Sequence, residues 1–388
     1  MRKSPSIQFL YILLGFLLVL LVLTCVFTIR ITSPATSVMA EPKPVSPAET
    51  GLSEQSGLVA DGSSICFYTE DGSRFTGGYK ELVTDGQSVV YYFLPNGQAF
   101  TSGYKALELE GNTHYYFFQE DGTAFTGGLR EVSFGEDTYC YYFQEDGKAL
   151  TCAWQTLDSG TYYFGEDGRA AKETFLALDG KTHYFSNLST LVTNGWFCID
   201  AEKSYYYADA TGAVLSNTVV EGYRLDQNGK CSTKYRINQY VNEHTTPTMS
   251  NEEKIQALYD WVRTNSMTYI RTYEHVRSGW SWKDSWVDDM AASQMDNWGG
   301  NCFRYAAFLG MLIREATGLP VTVYHGSTPA TYGGLTPHSW CEVCLDDQWY
   351  VYDVELQKFT AYTRDQCYKI PASESYLHLD GVGTNLFS

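Results

Sequence analysis

Three side chains in the last third of the chain, Cys302, His338 and Asp353, have the types and order of a thiol nucleophile, its base and the base's orienter. Cys302 follows Gly299-Gly300-Asn301 and opens a segment (Ala306, Ala307, Leu309, Gly310, Met311, Leu312) that is apolar nearly all round, as a buried helix is. The first amide N–H groups of a helix lack intrahelical partners, so a sulfur placed there is favoured in its negative form. His338 begins one strand-like segment and Asp353 ends the next, with Asp346-Asp347-Gln348 between them. A hairpin turning there sets His338 almost opposite Asp353, with Cβ atoms about 5 Å apart. A carboxylate at that distance orients an imidazole and stabilises its protonated form. The imidazole can then take the thiol proton and later deliver it to a leaving group. An oxyanion hole here includes the Cys302 backbone N–H, with Gln294 or the Trp298 indole as the second donor.

Each residue also has a plain reading. A buried Cys is usually a small apolar filler, a lone His a satisfied surface group, and an Asp at a strand end a cap. The joint order favours the triad. Cys341 and Cys344 lie three apart on a strand, so they point to opposite faces, and a metal site needs two further ligands. They are read as structural, and no metal or cofactor motif is found.

Several elements must position these groups. Ser250 and Glu253 form a capping box, and Ile255, Leu258, Tyr259 and Val262 continue it as an amphipathic helix. A Trp-rich stretch follows (Trp280, Trp282, Trp286 and Trp298), of which Trp280, Trp282 and Trp298 read as core or groove wall. Gly318 ends the Cys302 helix, with Pro320 just beyond, and strands follow at Val321–His325, Ser339–Leu345 and Gln348–Asp353. Together these predict an α+β domain over 235–388.

Upstream the composition changes. Tyr makes up 31 of 388 residues. A turn dipeptide recurs at Asp71-Gly72, Asn96-Gly97, Asp121-Gly122, Asp146-Gly147, Asp167-Gly168, Thr211-Gly212 and Asn228-Gly229, with Gly spacings of 25, 25, 25, 21, 44 and 17. Aromatic runs precede the turns (Tyr91-Tyr92-Phe93, Tyr115-Tyr116-Phe117, Tyr141-Tyr142-Phe143, Tyr162-Tyr163-Phe164), and short segments such as Phe125-Thr126-Gly127-Gly128 follow them. Aromatic strand, Asp-Gly turn, second short strand is a β-hairpin signal. One hairpin cannot bury its aromatic face, so 61–232 reads as an all-β hairpin-repeat solenoid. A hairpin turning at Glu145-Asp146 would face Cys140 with Cys152, as a disulfide or as two free thiols.

Phe9 to Ile29 carries no charge and, as a helix, spans about 30 Å, the hydrocarbon thickness of a bilayer. Arg2 and Lys3 precede it and leave the N-terminus cytoplasmic. Residues 1–32 therefore read as a cytoplasmic stub and transmembrane anchor. A cleaved signal peptide ending near Val38-Met39-Ala40 is the rival, and both place the bulk of the chain outside the membrane. Residues 33–60, with Pro34, Pro42, Pro44 and Pro47, form an extended tether. The formal net charge of −18 argues against nucleic acid, whose phosphates need clustered Lys and Arg.

Two resemblances rest on these residues. The repeats resemble the cell-wall-binding repeats of Gram-positive surface proteins, which include choline- and glucan-binding modules. The shared pattern is aromatic pair, Asp-Gly turn, Thr-Gly, then Gly-aromatic, as in Gly78-Tyr79 and Gly103-Tyr104. In choline binders Trp at the last position helps cage a quaternary ammonium through cation–π attraction. Here Trp154 and Trp196 supply indoles and Tyr79 and Tyr104 stand in elsewhere. The resemblance implies that these four bind a wall polymer: teichoic acid, choline or glucan. The alternative is that they are core between hairpins.

The C-terminal part resembles the transglutaminase-like superfamily, related in fold to papain. The carriers are Gly299-Gly300-Asn301-Cys302 with Tyr305-Ala306, Gly318-Leu319-Pro320, His338-Ser339-Trp340-Cys341-Glu342-Val343 and Trp349-Tyr350-Val351-Tyr352-Asp353, although Val354-Glu355 replaces the usual Pro or Thr. The resemblance implies Cys302 as nucleophile, His338 as general base and acid and Asp353 as orienter; Trp298 is read from its place beside Cys302 as a candidate substrate-groove residue, and no cofactor is expected. The expected function is a surface-anchored thiol acyl-transfer enzyme (protease, amidase or transamidase) acting on peptide or glutamine-type amides at the cell wall, membrane-bound or secreted and wall-associated. The alternative is a non-catalytic wall-binding adhesin.

Overall fold

The computed structural model describes residues 56–62, 64–84, 86–271, 282–330 and 333–387. The predicted membrane helix, most of the tether and Trp280 lie outside them. Among the described residues no helix is long and apolar enough to cross a membrane. The chain divides into two compact units, Met1–Ser56 with Glu70–Gly72, and Gly57–Thr69 with Ser73–Ser388; the hairpins and the helical part both belong to the second.

Among the described residues, eight antiparallel hairpins succeed one another in chain order, each a separate two-stranded sheet. Their tips differ from expectation. The ladders pair Gly103–Leu109 with Asn112–Phe118 and Gly128–Phe134 with Asp137–Phe143, so the chain reverses at Glu110-Gly111 and Gly135-Glu136. Asp121-Gly122 and Asp146-Gly147 instead join one hairpin to the next. The reason is length. After Asp121-Gly122 only Ala124 returns to bridge Phe118 before Gly127 turns the chain away, whereas Gly103–Leu109 offers a seven-residue partner. The connecting turns are closed by their own Asp side chains, with Asp121 Oδ1 accepting the Thr123 N–H at 2.9 Å and Asp146 Oδ1 that of Lys148 at 3.0 Å.

A left-handed residue precedes each first strand from Gly78 on: Gly77, Ser102, Gly127, Cys152, Glu173, Asn194 and Asn217. Cys152 therefore sits at an exposed corner, while Cys140 lies opposite Glu131; both are free thiols. The hairpin that would have faced them does not form.

Successive hairpins are joined by backbone bonds from the small residue after each turn. Ala124 N–H donates to Val90 O at 2.9 Å, Ala149 to Tyr115 O at 2.7 Å and Ala170 to Cys140 O at 2.8 Å. Phe93, Phe118, Phe143, Phe164 and Phe185 are fully buried and form the aromatic spine. Cations of the chain lie over the flanking rings. Lys80 Nζ is 4.4 Å from the Phe67 centroid, Lys105 Nζ 4.3 Å from Tyr92, and the Arg130 guanidinium 3.9 Å from Phe117.

The C-terminal part has four main helices, α1 (Ser232–His244), α2 (Asn251–Thr264), α3 (Trp286–Asn297) and α4 (Cys302–Thr317). They accompany a five-stranded antiparallel sheet of β1 (Val321–Pro329), β2 (Leu335–Leu345), β3 (Gln348–Tyr352), β4 (Tyr368–Pro371) and β5 (Leu379–Asn385), in the order β4-β3-β2-β1-β5. Two short helices, α5 (Val354–Phe359) and α6 (Arg364–Cys367), connect β3 to β4. The Ser250–Glu253 capping box and the Gly318 stop form as predicted. Helix α4 is buried from Cys302 through Ile313 and lies on β1 and β2. Gly310 permits the close approach, since a Cβ there would stand 2.7 Å from Val323 Cγ2. Helix α1 was not anticipated.

The last hairpin and the helices share one core: Tyr223, Leu225 and Cys231 pack with Ile237, Leu258 and Phe308. The Lys234 ammonium and the Glu315 carboxylate pair directly inside it. Glu315 also accepts from Tyr223 Oη at 3.2 Å and Asn238 Nδ2 at 2.8 Å.

Asp288 of α3 faces the same junction, 2% exposed, and Thr233 Oγ1 donates to its Oδ2 at 3.4 Å. Burial pushes its carboxyl up to about 7. The folded protein then holds a proton that the unfolded chain releases near pH 4, so stability falls as pH rises across that window. Asp288→Asn removes this titration. Thermal unfolding of both proteins from pH 4 to 8 should show the variant gaining on the parent up to about pH 7; a constant difference would count against it.

Candidate active site

Cys302 is the first residue of α4 and is 8% exposed. Asn301 caps the helix, its side chain accepting the Arg304 N–H at 3.3 Å. Gly300 is required here, because a Cβ would stand 2.4 Å from Gln294 Oε1. Cys302 thus stands at a helix N-terminus, where the first amides lack intrahelical partners.

His338 of β2 has the Cys302 sulfur as an electrostatic neighbour on one side. Its Nε2 lies 2.5 Å from Asp353 Oδ2 on the other, which leaves Nδ1 for the sulfur. Asp353 is not a strand residue. The β2–β3 ladder ends at Cys341 opposite Tyr352, and Asp353, one step further, becomes the N-cap of α5. Its Oδ1 accepts the Leu356 N–H at 3.1 Å, its N–H donates to Cys367 O at 2.8 Å, and its carbonyl accepts from Tyr259 Oη at 3.1 Å. The three predicted residues are brought together, with Asp353 reaching His338 from a helix cap rather than across a ladder.

A fourth residue, His378, joins them and was not anticipated. Its Nε2 lies 2.9 Å from the same Asp353 Oδ2, and its Nδ1 lies 2.5 Å from Ser375 Oγ. Nothing in its sequence neighbourhood marks it, for Ser375–His378 follows no helical or strand period. Glu355, on the first turn of α5, is also buried, and burial pushes its carboxyl up to about 7 against the opposing His338 charge.

Burial alone would push the Asp353 carboxyl up, but the His338 charge and the bonds from His338 and His378 outweigh it and hold the group well below the usual range. Burial likewise opposes the His338 imidazolium, yet Asp353 and the Cys302 sulfur raise it well above its ordinary value. The pair stabilises the fold most between about pH 4 and 6.5. That contribution is lost at higher pH as His338 deprotonates and at lower pH as Asp353 protonates. His338, Asp353 and His378 set three ligand-type atoms within 4.8 Å of one another, and hydrogen bonds join both imidazoles to the carboxylate. Both candidates for the second oxyanion donor are engaged elsewhere. The Trp298 indole donates to Ser266 Oγ at 2.8 Å, and Gln294 is fully buried with Nε2 3.3 Å from Met267 Sδ.

Trp282 and Trp286 do line a groove, a cleft of about 650 Å³ that also takes in Glu221, His325 and Asn385. The other expected binding residues are scattered. Trp298 is 36% exposed beside the Cys302 loop. Tyr79 lies 6.1 Å from Tyr116, and Tyr104 lies 4.8 Å from Tyr141 and donates to Asp167 O at 3.1 Å. Trp196 is part of the junction: its indole donates to Glu221 at 3.1 Å and the Lys234 ammonium lies 5.0 Å from its ring. Trp154 sits against Tyr163, His183 and Phe185 at 5.2, 5.3 and 5.7 Å, and no described Lys or Arg covers it.

Residues 238–354 match the transglutaminase-like superfamily, and residues 152–196 match the choline-binding repeat. None of the curated proteins compared matches the chain. Among solved structures, CbpJ from Streptococcus pneumoniae TIGR4 is 25% identical, with 46% of this chain and 58% of that one covered at a TM-score of 0.34. Choline binding protein F from S. pneumoniae, solved in the presence of a peptidoglycan analogue, is 21% identical over 46% and 57% at 0.34. The choline-binding domain of CbpL from S. pneumoniae is 20% identical over 46% and 86% at 0.34. The chain spans somewhat over half the length of the first two. It carries a transglutaminase-like superfamily domain at 238–354, preceded by choline-binding repeats at 152–196.

Proposed function

We propose that this protein is a surface-anchored, cysteine-dependent acyl-transfer enzyme held at the bacterial cell wall. One observation carries the reading: the His338 imidazole lies 2.5 Å from a buried carboxylate through Nε2, and Cys302, at the N-terminus of α4, is among the groups that raise its imidazolium. The Cys302 thiolate attacks the carbonyl carbon of a peptide or glutamine-type amide, and the C=O π electrons move to oxygen, which the Cys302 N–H stabilises. The C–N bond then breaks as His338 gives its proton to the departing amine, leaving a thioester. Water releases the acyl group as an acid (protease or amidase), or a second amine releases it as a new amide (transamidase); His338 takes the incoming proton, and the thiolate leaves. Trp298 lines the substrate path.

The hairpins, stacked as a solenoid, bind the wall polymer. At the Phe67/Phe75, Tyr92/Phe100 and Phe117/Phe125 ring pairs the chain's own Lys80, Lys105 and Arg130 supply the cation. Trp154, on the opposite face of its strand, packs against Tyr163, His183 and Phe185 with no described Lys or Arg over its ring, so an external quaternary ammonium is bound there, within the choline-repeat match. The segment 9–29 anchors the chain in the membrane and 33–60 tethers it, which concentrates enzyme on substrate without new contacts.

Iodoacetamide alkylation, read for each Cys by mass spectrometry, tests the nucleophile. Cys302 should react at least tenfold faster than the exposed Cys152 at pH 6.5, and His338→Ala should remove most of that advantage. A parallel screen of glutamine-containing peptides, with and without an added amine, should give products lost in Cys302→Ala. An inert Cys302 would sink the catalytic reading.

Titration with choline, followed by tryptophan fluorescence, tests the repeats. Trp154→Ala should weaken binding at least tenfold and Tyr104→Phe should leave it within twofold. Equal loss in both, or no binding by the parent, would refute the assignment to Trp154.

A further inference from the structure

Asp353 Oδ2 is shared by two imidazoles, with His338 Nε2 at 2.5 Å and His378 Nε2 at 2.9 Å. A carboxylate has no proton to give, so both rings donate. His378 Nδ1 is then left to accept the Ser375 hydroxyl at 2.5 Å, and a single tautomer satisfies both bonds. With Leu356 N–H on Oδ1, the carboxylate takes three donors.

We propose that His378, backed by Ser375, is a positioning residue: it fixes the Asp353 carboxylate toward His338 and so maintains the Cys302–His338 pair. This rests on the reading of Cys302 as the nucleophile.

Several features support the role. The His378 side chain is 2% exposed and that of Asp353 1%, so water cannot replace the bond. Trp340 covers the group, its ring centroid 4.9 Å from that of His378. Gly381 of β5 makes room for that indole, since a Cβ there would stand 2.7 Å from Trp340 Cζ2. A buried carboxylate with one partner can rotate away or take up a proton; a second donor on the same oxygen opposes both. The other titratable groups around Asp353 are Tyr259 of α2, Cys341 of β2, Glu355 of α5 and Cys367 of α6, with Glu342 of β2 near His378. None of these can carry positive charge, so the His338 imidazolium and the His378 Nε2–H donor are what offset Asp353 among them. Without His378 the carboxylate protonates more readily, and the acid limb of Cys302 reactivity moves to higher pH. A mere latch for β5 would lower stability and reactivity together without moving that limb.

The experiment is Cys302 alkylation by iodoacetamide from pH 4 to 8, with Cys152 as internal reference, in the parent, His378→Ala, His378→Gln and Ser375→Ala. His378→Ala should slow Cys302 at least tenfold at pH 6 and raise the acid limb by about one pH unit. His378→Gln, whose amide can donate to Oδ2, should recover most of the rate, and Ser375→Ala should cost two- to threefold. Parent-like behaviour in His378→Ala overturns the proposal, and so does a slower rate with an unmoved limb. If His378→Ala does not fold, His378→Leu, which fills the space without a donor, takes its place in the comparison. A parent in which Cys302 is no faster than Cys152 refutes the nucleophile reading itself, which separates the two failures.

Discussion

A carboxylate held ionised inside the protein is the constraint on which the helical end of this molecule depends. Asp353 is 2% exposed, and desolvation on that scale opposes its charge strongly. Every contact around it answers that penalty. Two imidazoles donate to one oxygen, a helix N-terminus donates to the other, and the backbone on either side is tied to Cys367 and Tyr259. The His338 imidazolium depends on the same arrangement, because its charge is tolerated only beside Asp353.

The hairpin array solves a different problem, which is to bury rings with almost no sheet to bury them against. Each hairpin is only two strands wide, so the aromatic face of one must close on its neighbour. The fully buried Phe spine does this, and the flanking rings, left partly open, are covered by Lys80, Lys105 and Arg130. A ring face that attracts cations is thus satisfied from within along the first part of the array. Further on, Lys234 plays the same part at Trp196 while pairing with Glu315 of α4. The array and the helical part are therefore joined through a shared core rather than a linker. Asp288, buried, and Glu315, half-buried, bring charge chemistry to that seam as well.

How much of this was legible in the sequence varies from element to element. Periodicity and caps are local, so the helix after Ser250, the Cys302 helix with its Gly318 stop and the strands around His338 could be read directly. The nearness of His338 to Asp353 came from the hairpin at Asp346-Asp347, a short-range constraint. The repeat period was equally plain, but its turns were assigned to the wrong role. An Asp-Gly pair signals a reversal without saying how long the returning strand is, and the return after Asp121-Gly122 is a single bridge.

The sequence alone determined the repeat, the helix that presents Cys302 and the order of Cys302, His338 and Asp353, because each depends on residues close along the chain or on residue type. The tertiary structure alone decided the rest. It brought His378 and Ser375 to the far side of Asp353 by pairing the last strand with β1, a long-range contact that leaves no periodic trace. It used the Trp298 and Trp196 indoles for Ser266 and Glu221, and left Trp154 without a cation of its own. Which donor meets which acceptor, and which ring meets which charge, depends on packing between segments far apart in sequence, and local propensity carries no information about it.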